Sequence, residues 1–247
     1  MKIGEIRNNN KGTPMRIIAM RSSNDIDVEF LDNHHYIKTH TTSGNFKKGQ
    51  IKNPYDKTIF GLGYLGEGNY IGRGHLYNIW QMMLRRCHDI NAKEKFPTYY
   101  NDCSVCEEWL NFQTFAEWHE QNKYECKERL HLDKDILYPG NKIYSPYHCL
   151  LVPQRINMLF TNKQNKRKMP NGVKIESGKY VAFYNGNELG KFNTIDEAYN
   201  LYAGTKKATI IKIANEYKSI IPDRVFQALL DYEVKIENDK NWEQNCV

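Results

Sequence analysis

Nowhere among the 247 residues is there a run of the roughly 18 apolar residues that a membrane-spanning helix requires. The opening Met1-Lys-Ile-Gly-Glu5 carries no apolar signal core either, so the expectation is a cytoplasmic protein with no membrane partner. Cysteine is sparse. In the cytoplasm the six (Cys87, Cys103, Cys106, Cys126, Cys149 and Cys246) are expected as reduced thiols or metal ligands and not as disulfides. Cys103-Ser-Val-Cys106 has zinc-ligand spacing, which Cys87 or His88, Cys126 or Cys149 would have to complete. Cys87 and Cys149 fit equally well as small buried core residues, so structural Zn²⁺ is the weaker reading. A dinucleotide fold is also missing. Glycines recur at 61, 63, 66, 68, 72 and 74, but no βαβ unit follows them, and 53–74 reads as a linker or an ordered loop.

What the chain has is a modest cationic excess, a formal +6 with a pI near 8.8 and 13% aromatics. That is a mild bias toward polyanions. Arg85-Arg86, the run Lys163 to Lys168 (with Lys163, Lys166, Arg167 and Lys168) and Lys206-Lys207 could each cover phosphates, although a charge run is more often a solvated surface.

The pattern predicts an α+β chain of several small units. Residues 1–52 alternate like strands over 15–21, 26–31 and 36–40, with Ile26, Val28 and Phe30 facing inward, and form a small all-β unit. Leu76 to His88 is helical through Leu76, Ile79, Trp80, Met83 and Leu84, and Cys106 to Asn122 is a second helix lined by Trp109, Phe112 and Phe115. The centre is Leu130-His-Leu-Asp-Lys-Asp-Ile136, a loop through Gly140-Asn141, a strand at Cys149 to Val152, and a short helix entered at Pro153. Asp133 and Asp135 lie two apart, on the same face of an extended strand, and Asn157 on the helix could close on them. Hard oxygen donors of this kind suit Mg²⁺ or Mn²⁺ in a one-metal site.

These residues resemble the HNH endonucleases of phages and mobile elements. The resemblance rests on Trp80, Met83, Arg86-Cys87, Val105-Cys106-Glu-Glu-Trp109, Leu132-Asp133-Lys134 and Tyr144-Ser-Pro-Tyr-His148-Cys149, and covers about residues 75–160. It implies a central ββα-metal domain over 75–162 that hydrolyses phosphodiesters of duplex DNA in a bacterial host cell. In active members a water-deprotonating His follows the metal-binding Asp; that position is Lys134 here. The loop-bracing Asn corresponds to His148, and Asn157 is kept. A protonated lysine is a poor base at neutral pH. His131, two residues before Asp133, and His148 are the substitute candidates, with Tyr144 a further one.

After the basic run, three short strands turn at Ser177-Gly178 and Asn185-Gly186, and Thr194 with Glu197 reads as a capping box opening a helix. Gly172-Val, Gly178-Lys-Tyr-Val-Ala, Leu189-Gly-Lys-Phe, Thr194-x-x-Glu-Ala198 and Lys206-Lys207 together resemble the Apetala-type DNA-binding domain over about 168–217. The resemblance implies a sheet that enters the major groove, with Lys174, Glu176, Lys179, Tyr180, Tyr184 and Lys191 as contact candidates and the facing undecided. A last helix over 222–236 extends this domain and could cover the sheet or make a homodimer; 237–247 is a polar tail. Two functions follow. One is a metal-dependent HNH-type endonuclease, with Asp133, Asp135 and Asn157 at the metal. The other is an inactive relative that binds DNA as a regulator or inhibits a host nuclease.

Overall fold

The computed structural model describes residues 1–95, 103–161, 169–239 and 241–242. They form two compact units, Met1–Asp89 with Glu107–Glu117, and Ile90–Cys106 with Trp118–Val247. The borders expected from the sequence at 52, 74 and 162 do not coincide with this division. The class is mixed α+β, with an N-terminal antiparallel sheet and a C-terminal three-stranded sheet plus helix.

In the first unit, β1 (Ile6–Asn8), β2 (Pro14–Ser22), β3 (Asp25–Phe30) and β4 (Ile37–Thr41) pair in sequence order as one antiparallel sheet. Period-two alternation puts Ile26, Val28 and Phe30 of β3 inward, where they join Met15, Ile17, Phe46 and Ile51 in one apolar cluster. Arg16 on the other face bridges to Glu29 at 2.6 Å. Helix α1 (Ser43–Lys47) closes this cluster with Phe46 and starts at Thr42, whose hydroxyl accepts from the Asn45 amide.

Helix α2 (His75–His88) buries Trp80, Met83, Leu84 and Cys87, the apolar stripe expected of it. Trp80 Nε1 donates to the Trp109 carbonyl at 2.7 Å. The glycine-rich stretch is a loop wrapped on a glutamine. Gln113 accepts from the Tyr70 amide and donates to the Leu65 and Tyr70 carbonyls, which uses its whole amide on loop backbone.

The second unit begins with α3 (Ile90–Lys95) and β5 (Ser104–Val105). The helix expected over 106–122 is instead a 3-10 turn (Glu107–Leu110) followed by α4 (Phe112–Asn122), whose last residues belong to the second unit. The reason is a long-range pairing: Tyr64 donates to the Leu110 carbonyl and accepts from the Phe112 amide, which pulls Asn111 out of helical geometry. The Asn111 side chain then accepts from the Gln113 amide at the start of α4.

Strand β6 (Leu130–Asp133) runs antiparallel to β8 (Leu150–Pro153), while β7 (Ile143–Tyr144), in the connection between them, lies parallel to β5. Pro153 ends β8 and starts α5 (Gln154–Leu159). Next come β9 (Val173–Glu176), β10 (Lys179–Tyr184) and β11 (Asn187–Phe192), in sheet order β11-β10-β9. Gly172 precedes them at φ +79°, where a Cβ would run into the Tyr202 ring. Helix α6 (Ile195–Tyr217) opens with the expected capping box. Its first half packs on the sheet through Ala198, Tyr199 and Tyr202. Its second half presents Ile210, Ile213, Ala214 and Tyr217 to a core shared with Leu150, Val152, Ile156 and α7 (Asp223–Asp231). The last helix thus stops at 231, five residues short of its expected end at 236.

Candidate functional site

Antiparallel pairing sets His131 opposite Val152 and Asp133 opposite Leu150, so His131 and Asp133 share the strand face of two residues that belong to the α5–α7 core. Asp133 is half-buried, and its Oδ1 accepts from the Asp135 amide at 2.9 Å and the Ile136 amide at 2.8 Å. This is an Asx turn that ends the strand. Burial, reinforced by the nearby Asp135 carboxylate, pushes the Asp133 carboxyl up to about 6, against the pull of those two amides and of Lys134.

Lys134 is spent on the loop. Its ammonium donates to Asp135 Oδ1 at 2.6 Å and to the Asn141 carbonyl at 2.5 Å. Asn141 completes the knot: its Nδ2 donates to the carbonyls of Lys134 and Ile143, both at 2.8 Å, and its Oδ1 accepts from the Ile143 amide. The loop is thus braced by Asn141, whose turn position was legible but whose cross-loop bonds were not. His148 Nδ1 bonds the Ser145 hydroxyl at 2.6 Å, and its ring lies 5.2 Å from that of Tyr138. Tyr144 is buried beneath the Lys134 ammonium, 5.9 Å from its ring centroid.

The carboxylates expected to hold a divalent ion are already engaged: one oxygen of Asp133 is taken by backbone, and Asp135 is paired to a lysine. Among the described residues, the only three His, Cys, Asp or Glu ligand atoms within 4.8 Å of one another are those of Asp25, Asp27 and His40. That cluster already holds a cation, since Arg21 donates to Asp25 at 2.9 Å and to Asp27 at 2.5 Å and holds both carboxyls below their usual range. Zinc fares no better. Cys87 and Cys103 are each in a disulfide, contrary to the expectation of reduced thiols, while Cys106, Cys126 and Cys149 are thiols. Burial pushes the Cys149 thiol up to about 12, which marks it as core.

The three-stranded sheet resolves which way its candidates face. Tyr180 and Tyr184 pack with Val173, Ala182 and Tyr202 against α6, so they are not on the open face. The register groups Lys174, Val181 and Lys191 in one row on the opposite face, with Glu176 beside Lys179 in the next. Val181, at the centre of that row, is fully buried, so the lysines stand at the row's two sides. Lys191 pairs with Glu176 at 3.1 Å, and the Lys179 ammonium donates to Asn193.

Two expected phosphate contacts are committed elsewhere. Lys206 is buried against Tyr202, and burial lowers its pKa. Lys207 donates to the Leu230 and Tyr232 carbonyls, both at 2.5 Å, and so caps the end of α7. Neither ammonium is presented to a ligand. Lys163, Lys166, Arg167 and Lys168 lie outside the described residues. Compared with family models, curated proteins and solved structures, the chain matches none.

Proposed function

We propose that the chain is a duplex-DNA-binding protein that contacts DNA through the open face of β9–β11, and that its HNH-like hairpin and helix hold the fold together without hydrolysing phosphodiesters. The observation that carries the reading is the sheet's division of labour. Its tyrosines turn to α6, while Lys174, Lys179 and Lys191 are left on the other face with Glu176 and Glu188 between them. A strand face of this composition can meet phosphates through lysine and accept from a cytosine amine through glutamate.

The hairpin argues against cleavage. The position of the expected base is an ammonium whose hydrogens are already donated to a carboxylate and a carbonyl. Favouring cleavage, His131 shares a strand face with Asp133. One assay separates the two. The full chain is incubated with plasmid DNA and Mg²⁺ or Mn²⁺ beside Asp133→Ala, and in parallel titrated with a mixed-sequence duplex in a gel shift. The expected result is a retained duplex, no nicking by either protein, and binding weakened about tenfold or more by combined Lys174→Gln and Lys191→Gln. Metal-dependent cutting that disappears in Asp133→Ala would overturn the non-cleaving reading and restore the endonuclease. Absence of binding to any duplex would overturn the DNA reading in favour of a protein target such as a host nuclease.

A further inference from the structure

The first unit carries an aromatic surface that no part of this proposal uses. After β3 the chain turns through Asp32, whose Oδ1 accepts from the amides of His34 and His35, with His35 at φ 49°. The turn lays the His34 imidazole flat on the Tyr55 ring, centroids 3.8 Å apart and planes within 4°. Tyr64 stands 5.8 Å from Tyr55 at 47°, and Tyr36 meets Tyr55 edge-on at 6.5 Å and 66°. Tyr36 is itself anchored by stacking on the core residue Phe30. Tyr55 and Tyr64 thus flank one exposed histidine, with Tyr36 at the far edge of Tyr55, and the histidine ring makes no hydrogen bond among the described residues.

Carboxylates rim the cluster. Tyr55 donates its hydroxyl to the exposed Glu67 at 3.1 Å. The Tyr36 and Tyr64 phenols are pushed up by burial first, and then by Glu67 and Glu107 respectively, which places one carboxylate near each of those rings.

We infer that this surface, Tyr36, Tyr55 and Tyr64 with Glu67, is a binding site for an arginine side chain of a partner protein, and that His34 is the internal group that the arginine displaces. A guanidinium is flat, delocalised and weakly hydrated, stacks on tyrosine faces, and forks onto a carboxylate at its edge. The His34 ring shows that the Tyr55 face accepts a flat nitrogen heterocycle at stacking distance, and Glu67 supplies the partner at its rim. A stacked nucleobase would use the same rings, but it brings phosphates toward Glu67 and Glu107, where like charges repel. An ammonium would gain less from the flat face.

The test is a titration of the full chain, followed by NMR of the histidine and tyrosine rings. The probe is a capped glycine-arginine-glycine peptide, with citrulline replacing arginine as the neutral control and a short oligothymidylate as the competing class. The expected result is movement of the His34 and Tyr55 ring signals by the arginine peptide alone. His34→Ala should tighten the peptide about two- to fivefold by clearing the Tyr55 face, and Tyr55→Leu should abolish the effect while the other ring signals stay in place. Equal response to citrulline, no gain in His34→Ala, ring shifts driven by oligothymidylate, or no shift at millimolar peptide would each overturn the inference.

Discussion

Asp133 shows how a single residue can look catalytic and act structurally. Its Oδ1 serves two backbone amides, a task that asparagine performs as well, while its charge stands among protein groups beside a second carboxylate. Because the folded pKa is raised to about 6 from the ordinary carboxylate range, folding favours the protonated form. The stabilisation from this group is therefore complete below the unfolded pKa and lost as pH rises through about 6. At neutral pH the loss is at most roughly 3 kcal/mol, taking 1.36 kcal/mol per pKa unit. Asp133→Asn should thus be more stable than the parent at pH 7.5, by about 1–3 kcal/mol in urea unfolding, and the difference should vanish near pH 4. An equal difference at both pH values would place the effect in packing. Lys134 makes the complementary case. Lys134→Ala removes two bonds that tie the loop and should lower stability by about 1–3 kcal/mol. A retained metal-dependent activity in that variant would contradict the non-cleaving hairpin.

At the scale of elements, α6 does most of the joining within its unit. Residues 198–202 cover the sheet and residues 210–217 cover β8, α5 and α7, so one helix of 23 residues spans two cores. Both of its sequence-encoded fixings can be tested. Thr194→Ala removes the capping box and should cost about 1 kcal/mol. Lys207→Met withdraws an ammonium from the last carbonyls of α7 and should cost about 1–3 kcal/mol. The two differ in where the loss appears, since hydrogen exchange should speed up in the first turn of α6 for one and in α7 for the other. Strand alternation, the capping box and the proline-started helices were legible because they depend on neighbours a few residues away. The break at Asn111 was not legible, because its partner Tyr64 is distant in sequence. Nor was the facing of Tyr180 and Tyr184, which alternation alone leaves ambiguous until the helix chooses a side. Lys206-Lys207 read as a basic surface pair because a sequence pattern does not reveal which charges a helix buries.

For the whole molecule, the formal +6 sets the expectation for long-range attraction to DNA, while the pairing of individual lysines limits how many phosphates the sheet can neutralise. Lys191 is shared between Glu176 and Glu188, and Lys174 lies 3.9 Å from Glu176, so a phosphate must compete with carboxylates already in place. If the sheet is the contact surface, each lysine that reaches a phosphate contributes about 0.9 to the slope of log K against log salt. Replacing Lys174, Lys179 and Lys191 together by glutamine should flatten that slope by about 2–3 and leave the slope's remainder to other cations. The measurement is a duplex titration at several salt concentrations for the parent and the triple variant. An unchanged slope would move the phosphate contacts off the sheet, with the run of Lys163, Lys166, Arg167 and Lys168 as the next set to neutralise. A slope that falls by the full amount, with the variant's stability intact, would put the sheet face at the DNA and leave those four to shape what the remaining slope reports.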